Sequence, residues 1–211
     1  MKRLALILIL LAILAQARPA PLTFAPEVPI ARQASLTTLA TTYLPKIHEA
    51  LGVPQHNAPI HLTFAPEPAQ YPGATYGRMI ELSESYMLRH PEDIGMILHE
   101  FVHVVQAYPE GTTPGWVTEG IADYLRDYIL LPSPTRHTPP ARADYRRGYT
   151  HAATLLDYII QTRHHGDWKA LIHPLNAACQ SGENGEAWLT AHYGAPDALA
   201  NEMKRAASPA P

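Results

Sequence analysis

Cysteine is almost missing from this chain of 211 residues, in which Cys179 stands alone. A single thiol forms no internal disulfide, so cross-links do not hold the fold. Nothing beside Cys179 looks like an activating base, and it reads as a small buried hydrophobe rather than a nucleophile. Charge of one sign is lacking too. The formal net charge is −3 and there are no basic runs, which argues against nucleic acid or an anionic membrane surface as partner. Long apolar stretches are confined to residues 4–14, too short for a comfortable membrane span. That run follows Met1-Lys2-Arg3 and precedes Ala15-Gln16-Ala17, so residues 1–17 have the three parts of a signal peptide, with no cysteine at the cleavage site to carry a lipid. The chain is therefore expected to be exported, periplasmic or extracellular, without stable membrane insertion after cleavage. Internal repeats and appended modules are absent as well. What remains is a proline-rich leader over 18–34 and one domain over 35–206, with enough apolar residues for a single core.

What is there begins with His99-Glu100-Phe101-Val102-His103. Histidines four apart on a helix project from one face, one turn apart, which is the spacing a metal ion needs. Glu100 beside them reaches the water to be activated without ligating the metal, the general-base position of a zinc protease. Pro91, Glu92 and Asp93 open this helix, Tyr108-Pro109 stop it, and apolar residues on most sides leave it buried. Two buried histidines and a glutamate one turn apart would, without a metal, leave several polar atoms to be paired. A further helix over 116–130, with Thr113 as cap, carries Glu119-Gly120-Ile121-Ala122-Asp123. Glu119 and Asp123 share a face, so one can bind the metal while the other orients a histidine. Gly120 costs about 1 kcal/mol relative to alanine and would let the His99 helix approach closely.

The rest of the pattern is structural. A helix over 35–51, capped by Ser35, should be bent or divided by Pro45, and 60–64 alternates as a strand. Residues 76–82 read as a second strand, a candidate edge for an extended substrate. A proline-rich loop over 131–141 can border a cleft, and helices are expected over 150–163, 167–178, 186–193 and 197–206. His164-His165 reads as an exposed helix end, and Trp168 and Trp188 as packing anchors.

Three blocks in this order, residues 99–106, 116–126 and 148–158, resemble the plant and bacterial basic secretory protein family of zinc metallopeptidases, with similarity from about residue 36 to 205. The resemblance implies an α+β, mainly helical, zincin-like metallopeptidase domain: a small mixed sheet on the H-E-x-x-H helix, then a mostly helical second half. It also implies secretion. The chain departs from the "basic" of the family name, since its pI is about 6.4. Metzincins need glycine and a further ligand where Gln106 and Pro109 stand, which excludes that class in its usual form. The third ligand is then expected at Glu119, with Asp123 as the alternative. The pair is similar to the gluzincin arrangement, in which the aspartate supports a zinc-binding histidine from the second shell. One zinc per chain on His99, His103 and Glu119, with an open position, is a catalytic site. The expected activity is hydrolysis of peptide bonds in a peptide or protein substrate, with Glu100 as general base. Tyr149, at a helix start in the third block, is the expected catalytic donor to the oxyanion, with Tyr145 and His151 as competitors. The rival reading is a non-catalytic zinc-binding or cell-envelope recognition protein of zincin ancestry, which has no need of Glu100.

Overall fold

The computed structural model describes residues 22–208, so the expected signal peptide lies outside the described residues. Strand β1 (Leu22–Phe24) and helix α1 (Ile30–Leu51) come first. They are followed by β2 (Ile60–Phe64), β3 (Gly73–Tyr76), β4 (Met79–Leu82), a short α2 (Glu84–Arg89) and α3 (Ile94–Gln106). Helix α4 (Gly115–Tyr124) widens into a π-helical turn over Leu125–Leu130. After three 3-10 turns come α5 (Tyr149–Arg163), α6 (Lys169–Gln180), α7 (Gly185–Tyr193) and α8 (Pro196–Ala207). The result is α+β and mainly helical, with a small mixed sheet in the order β1-β2-β4-β3. β1, β2 and β4 run parallel, and β3 is antiparallel to β4 at the edge.

The sheet buries one side chain in two. Ile60, Leu62, Ile80 and Leu82 are all within 1% of full burial, as period-two strands against a core require. They join α1 and α3 in one hydrophobic cluster that continues into α4 to α8. Asp93 caps α3 by accepting from the Met96 N–H at 3.4 Å, and Ala107, left-handed at φ 44°, ends it just ahead of Tyr108-Pro109. Cys179 is fully buried in the core, and burial raises its thiol pKa. Among the described residues no helix is long and apolar enough to cross a membrane.

Several local expectations change. Within the stretch read as leader, Leu22–Phe24 pair in register with Ile60, His61 and Leu62, and α1 begins at Ile30 rather than Ser35. Three alternating residues between two prolines suffice for an outer strand, where no N–H need be donated on the free side. Ser35 is no cap, since its hydroxyl donates to the Ala31 carbonyl one turn back, and Pro45 lies inside α1 without dividing it. The single strand over 76–82 is a hairpin: Gly77 and Arg78 form a two-residue turn, Gly77 at φ 59°, so the free edge is β3 and β4 lies inside the sheet. Helix α4 starts without a side-chain cap, leaving Thr113 outside that role. A Cβ on Gly120 would stand 2.8 Å from the Ala152 Cβ, so glycine admits α5, not α3. His164 bonds the Tyr193 hydroxyl at 2.9 Å, which docks the end of α5 rather than leaving it free.

Candidate active site

Helices α3 and α4 bring three ligand atoms together. His99 Nε2 lies 2.9 Å from His103 Nε2 and 3.0 Å from Glu119 Oε2, and His103 Nε2 lies 3.4 Å from the same oxygen. Each imidazole is held from behind. Asp123 Oδ1 is 2.7 Å from His99 Nδ1, and Gln106 Oε1 is 2.7 Å from His103 Nδ1. The Gln106 amide donates to the Thr118 carbonyl at 3.0 Å, which turns its oxygen towards the histidine. Asp123 is buried and paired with Arg126 at 2.9 Å, and Arg126 also grips Asp127 at 2.6 Å.

These partners decide the tautomers. A carboxylate and an amide oxygen accept only, so each Nδ1 carries the hydrogen and each Nε2 presents a lone pair. With both rings neutral, two lone pairs and a carboxylate oxygen face one another, an arrangement relieved either by a proton on His99 or by a cation. Among the described residues, His99, His103 and Glu119 form the group able to hold a metal ion. Its electrostatics lean the same way. Burial disfavours charge on His99, but the Asp123 and Glu119 carboxylates overcome it and raise its pKa to about 10. Burial also pushes the Glu119 carboxyl up, yet His103 and His99 hold it down to about 2. The pocket thus favours positive charge beside a carboxylate, and a bound cation supplies it without a proton.

Glu100 is 5% exposed and faces the sheet edge. Its Oε2 accepts from the Thr75 hydroxyl at 2.7 Å, and the same hydroxyl lies 3.2 Å from the Glu100 carbonyl oxygen. Gly73 makes that approach possible, since a Cβ there would come within 3.0 Å of Glu100 Cγ and 2.9 Å of Met96 Sδ. A cavity of about 580 Å³ opens over this group, and a second of about 240 Å³ shares Thr75, His103 and Thr118 with it.

Tyr149 lines the larger cavity, its ring centroid 6.0 Å from that of His99 at 24°. It holds φ 51° as the first residue of α5, an uncommon conformation for a non-glycine residue. Partial burial, then the charges of Glu119 and Asp123, push its phenol pKa up, so the hydroxyl stays a donor. Tyr145 and His151 are occupied elsewhere. The Tyr145 hydroxyl donates to Asp197 at 2.7 Å, and His151 Nδ1 accepts from the Asp144 N–H at 3.2 Å. The 131–141 loop does not line the cavities either; its Arg136 turns to Asp127 and Asp93. Sequence reasoning missed Thr75, Gly73 and Arg126, and saw Gln106 only as the glycine that metzincins require. Gln106 had a signal, being three residues beyond His103 on one helix face; Thr75 had none.

The family described as peptidase of plants and bacteria (BSP) matches residues 72–201, more than half of the chain. The chain belongs to the BSP family. The match opens at Pro72, one residue after Tyr71 of the cleft wall, and takes in all of the residues just described, while β1, α1 and β2 precede it. No curated protein and no solved structure matches this BSP chain.

Proposed function

We propose that this BSP-family protein is an exported zinc metallopeptidase, with His99, His103 and Glu119 as metal ligands, Asp123 as the support of His99, and Glu100 as general base. The observation that carries the reading is the convergence of two imidazole nitrogens and a carboxylate oxygen beside a buried carboxylate that is held but not consumed. The donor set suits zinc, since two imidazoles and one carboxylate with a side open to a cleft match its catalytic sites. When bound, zinc supplies a Lewis acid for the attacking water and the scissile carbonyl. Glu100 takes the proton from that water, held in place by Thr75, and passes it to the leaving amine. Tyr149 donates to the oxygen on which negative charge develops. Its strained backbone supports that role, because a conformation costing about 1 kcal/mol or more persists where the surroundings require it. A metal store would need the ligands but not a buried, oriented Glu100.

The decisive comparison is residues 18–211 against the Glu100→Gln variant. Both are expected to bind about one zinc per chain by elemental analysis, with peptide-library cleavage falling about 10²- to 10⁴-fold in the variant. Zinc in both proteins with equal cleavage, or with none in either, would remove Glu100 from catalysis or the protein from the peptidases.

A further inference from the structure

We infer that the site is that of an endopeptidase, which cuts internal bonds of an extended segment that lies along β3 and leaves the cleft at both ends. The inference rests on the peptidase reading above. Its first support is that the larger cavity, lined by all three ligands, adjoins a second one. Thr75, His103 and Thr118 line both, so space for a substrate extends past His103 rather than ending at the ligand group.

The second support is the hydrogen-bonding state of the edge strand. The Ser83 N–H donates to the Pro72 carbonyl at 2.9 Å, and the register then runs Gly73 with Leu82, Ala74 with Glu81, Thr75 with Ile80 and Tyr76 with Met79. In an antiparallel ladder bonded and non-bonded pairs alternate. Ala74 and Tyr76 therefore turn their backbone groups to β4, and Gly73 and Thr75 turn theirs to the free edge. Gly73 and Thr75 line the larger cavity, and Thr75 and Gly77 the smaller, so this edge follows both cavities. The four residues of β3 span roughly 13 Å at about 3.3 Å per residue, room for a segment of about four residues.

The third support is the charge at the two ends. Trimming single residues from a terminus requires a group that recognises the free carboxylate or ammonium. Among the described residues Arg126 is the one Lys or Arg lining either cavity, and Asp123 and Asp127 already hold it at 2.9 and 2.6 Å. Asp93 accepts from the Tyr86 hydroxyl at 2.7 Å and caps α3, and Glu110 is exposed on a turn, where solvent screens an ion pair. Neither end offers a desolvated, unengaged charge. Tyr71 and Tyr149 instead expose about half of their surface beside the cleft, 53% and 49%, suiting the side chains of a passing chain.

The test uses the zinc-loaded protein and a peptide of about ten residues chosen from the library, acetylated and amidated at its ends, against the same peptide with free termini. We expect kcat/KM values within about threefold of each other, and first products in mass spectra that come from an internal bond. N-methylation of the backbone at alternate residues flanking that bond is expected to lower kcat/KM about tenfold, the loss of one strand hydrogen bond, with little effect at the residues between. A blocked peptide that resists while the free one is trimmed from an end overturns the inference and leaves the peptidase reading standing. Failure to cut either peptide with zinc bound removes both.

Discussion

The Thr75 hydroxyl does for Glu100 what Asp123 and Gln106 do for the histidines: each engages one of two polar atoms, Thr75 by donating and the other two by accepting, and so fixes the direction of the second atom. A carboxylate on a buried helix face has several rotamers, and only some present an oxygen to the cleft lined by His99, His103 and Glu119. One charge-assisted hydrogen bond at 2.7 Å selects among them. Thr75→Val keeps the shape and the β-branch and removes only the bond. It should lower kcat about tenfold or more with KM and zinc content unchanged, while Thr75→Ser restores most of the rate, read by steady-state kinetics and elemental analysis. A rise in KM at constant kcat would assign Thr75 to substrate contact instead. Gln106 acts on the metal side. Gln106→Ala frees the His103 ring and leaves the Thr118 carbonyl without its donor, so zinc affinity should fall about ten- to a hundredfold in competition with a chelator.

Between elements the contact that matters is α4 on α5, because it sets Tyr149 against the ligand group. Gly120→Ala sets two effects against each other. Helix propensity gains about 1 kcal/mol, but the new Cβ meets the Ala152 Cβ at 2.8 Å, and overpacking costs about 1–3 kcal/mol. The clash involves a neighbouring helix that cannot rotate away as a long side chain can, so the net change should be destabilising, with a lower midpoint in thermal unfolding and a weakened peptidase activity as Tyr149 shifts. The same contact shows where sequence reading stops. A glycine in the E-G-I-A-D block announces a close approach but not by whom, and pairing it with α3 failed because partner choice is set by topology. Elements with strong periodicity were legible: α3, β2, α5 and the last three helices lie within a few residues of their expected spans. The grouping of His99, His103 and Glu119, with Asp123 behind His99, was legible because their spacing is local to two helices. Thr75 reaches Glu100 across 25 residues of chain, and no helical or strand period encodes such a contact. The hairpin at 77–78 was missed for a related reason, since a two-residue turn inside a short alternating run leaves the alternation unbroken.

At the scale of the whole molecule, one hydrophobic cluster joins the sheet side and the helical side, so its stability governs the site as well. Acid should weaken it at α1. His48 is 4% exposed there, and its Nδ1 has no hydrogen-bond partner. Its ring meets that of His56 edge-on at 5.1 Å, with Arg78 beside them. Burial first, then His56, lowers the His48 pKa from its ordinary 6.5, and the Arg78 charge lowers it further. The sign follows from linkage. Below 6.5 the unfolded chain binds a proton at this position before the folded chain does, so stability present at neutral pH is lost as pH falls through the interval between the unfolded and folded values. At pH 5.5 the loss from one such histidine has a ceiling of about 1.4 kcal/mol, reached if the folded chain takes up no proton there. His48→Leu removes the titrating group and the unpartnered nitrogen together. Denaturant unfolding of the zinc-loaded proteins at pH 7.5 and 5.5 should therefore show the unmodified chain losing more stability than the variant. Comparing the two chains cancels the protons taken up at the distant ligand group, as independent sites require. Equal losses in both would mean that His48 is protonated without cost in the fold, and that acid acts on this molecule through other groups.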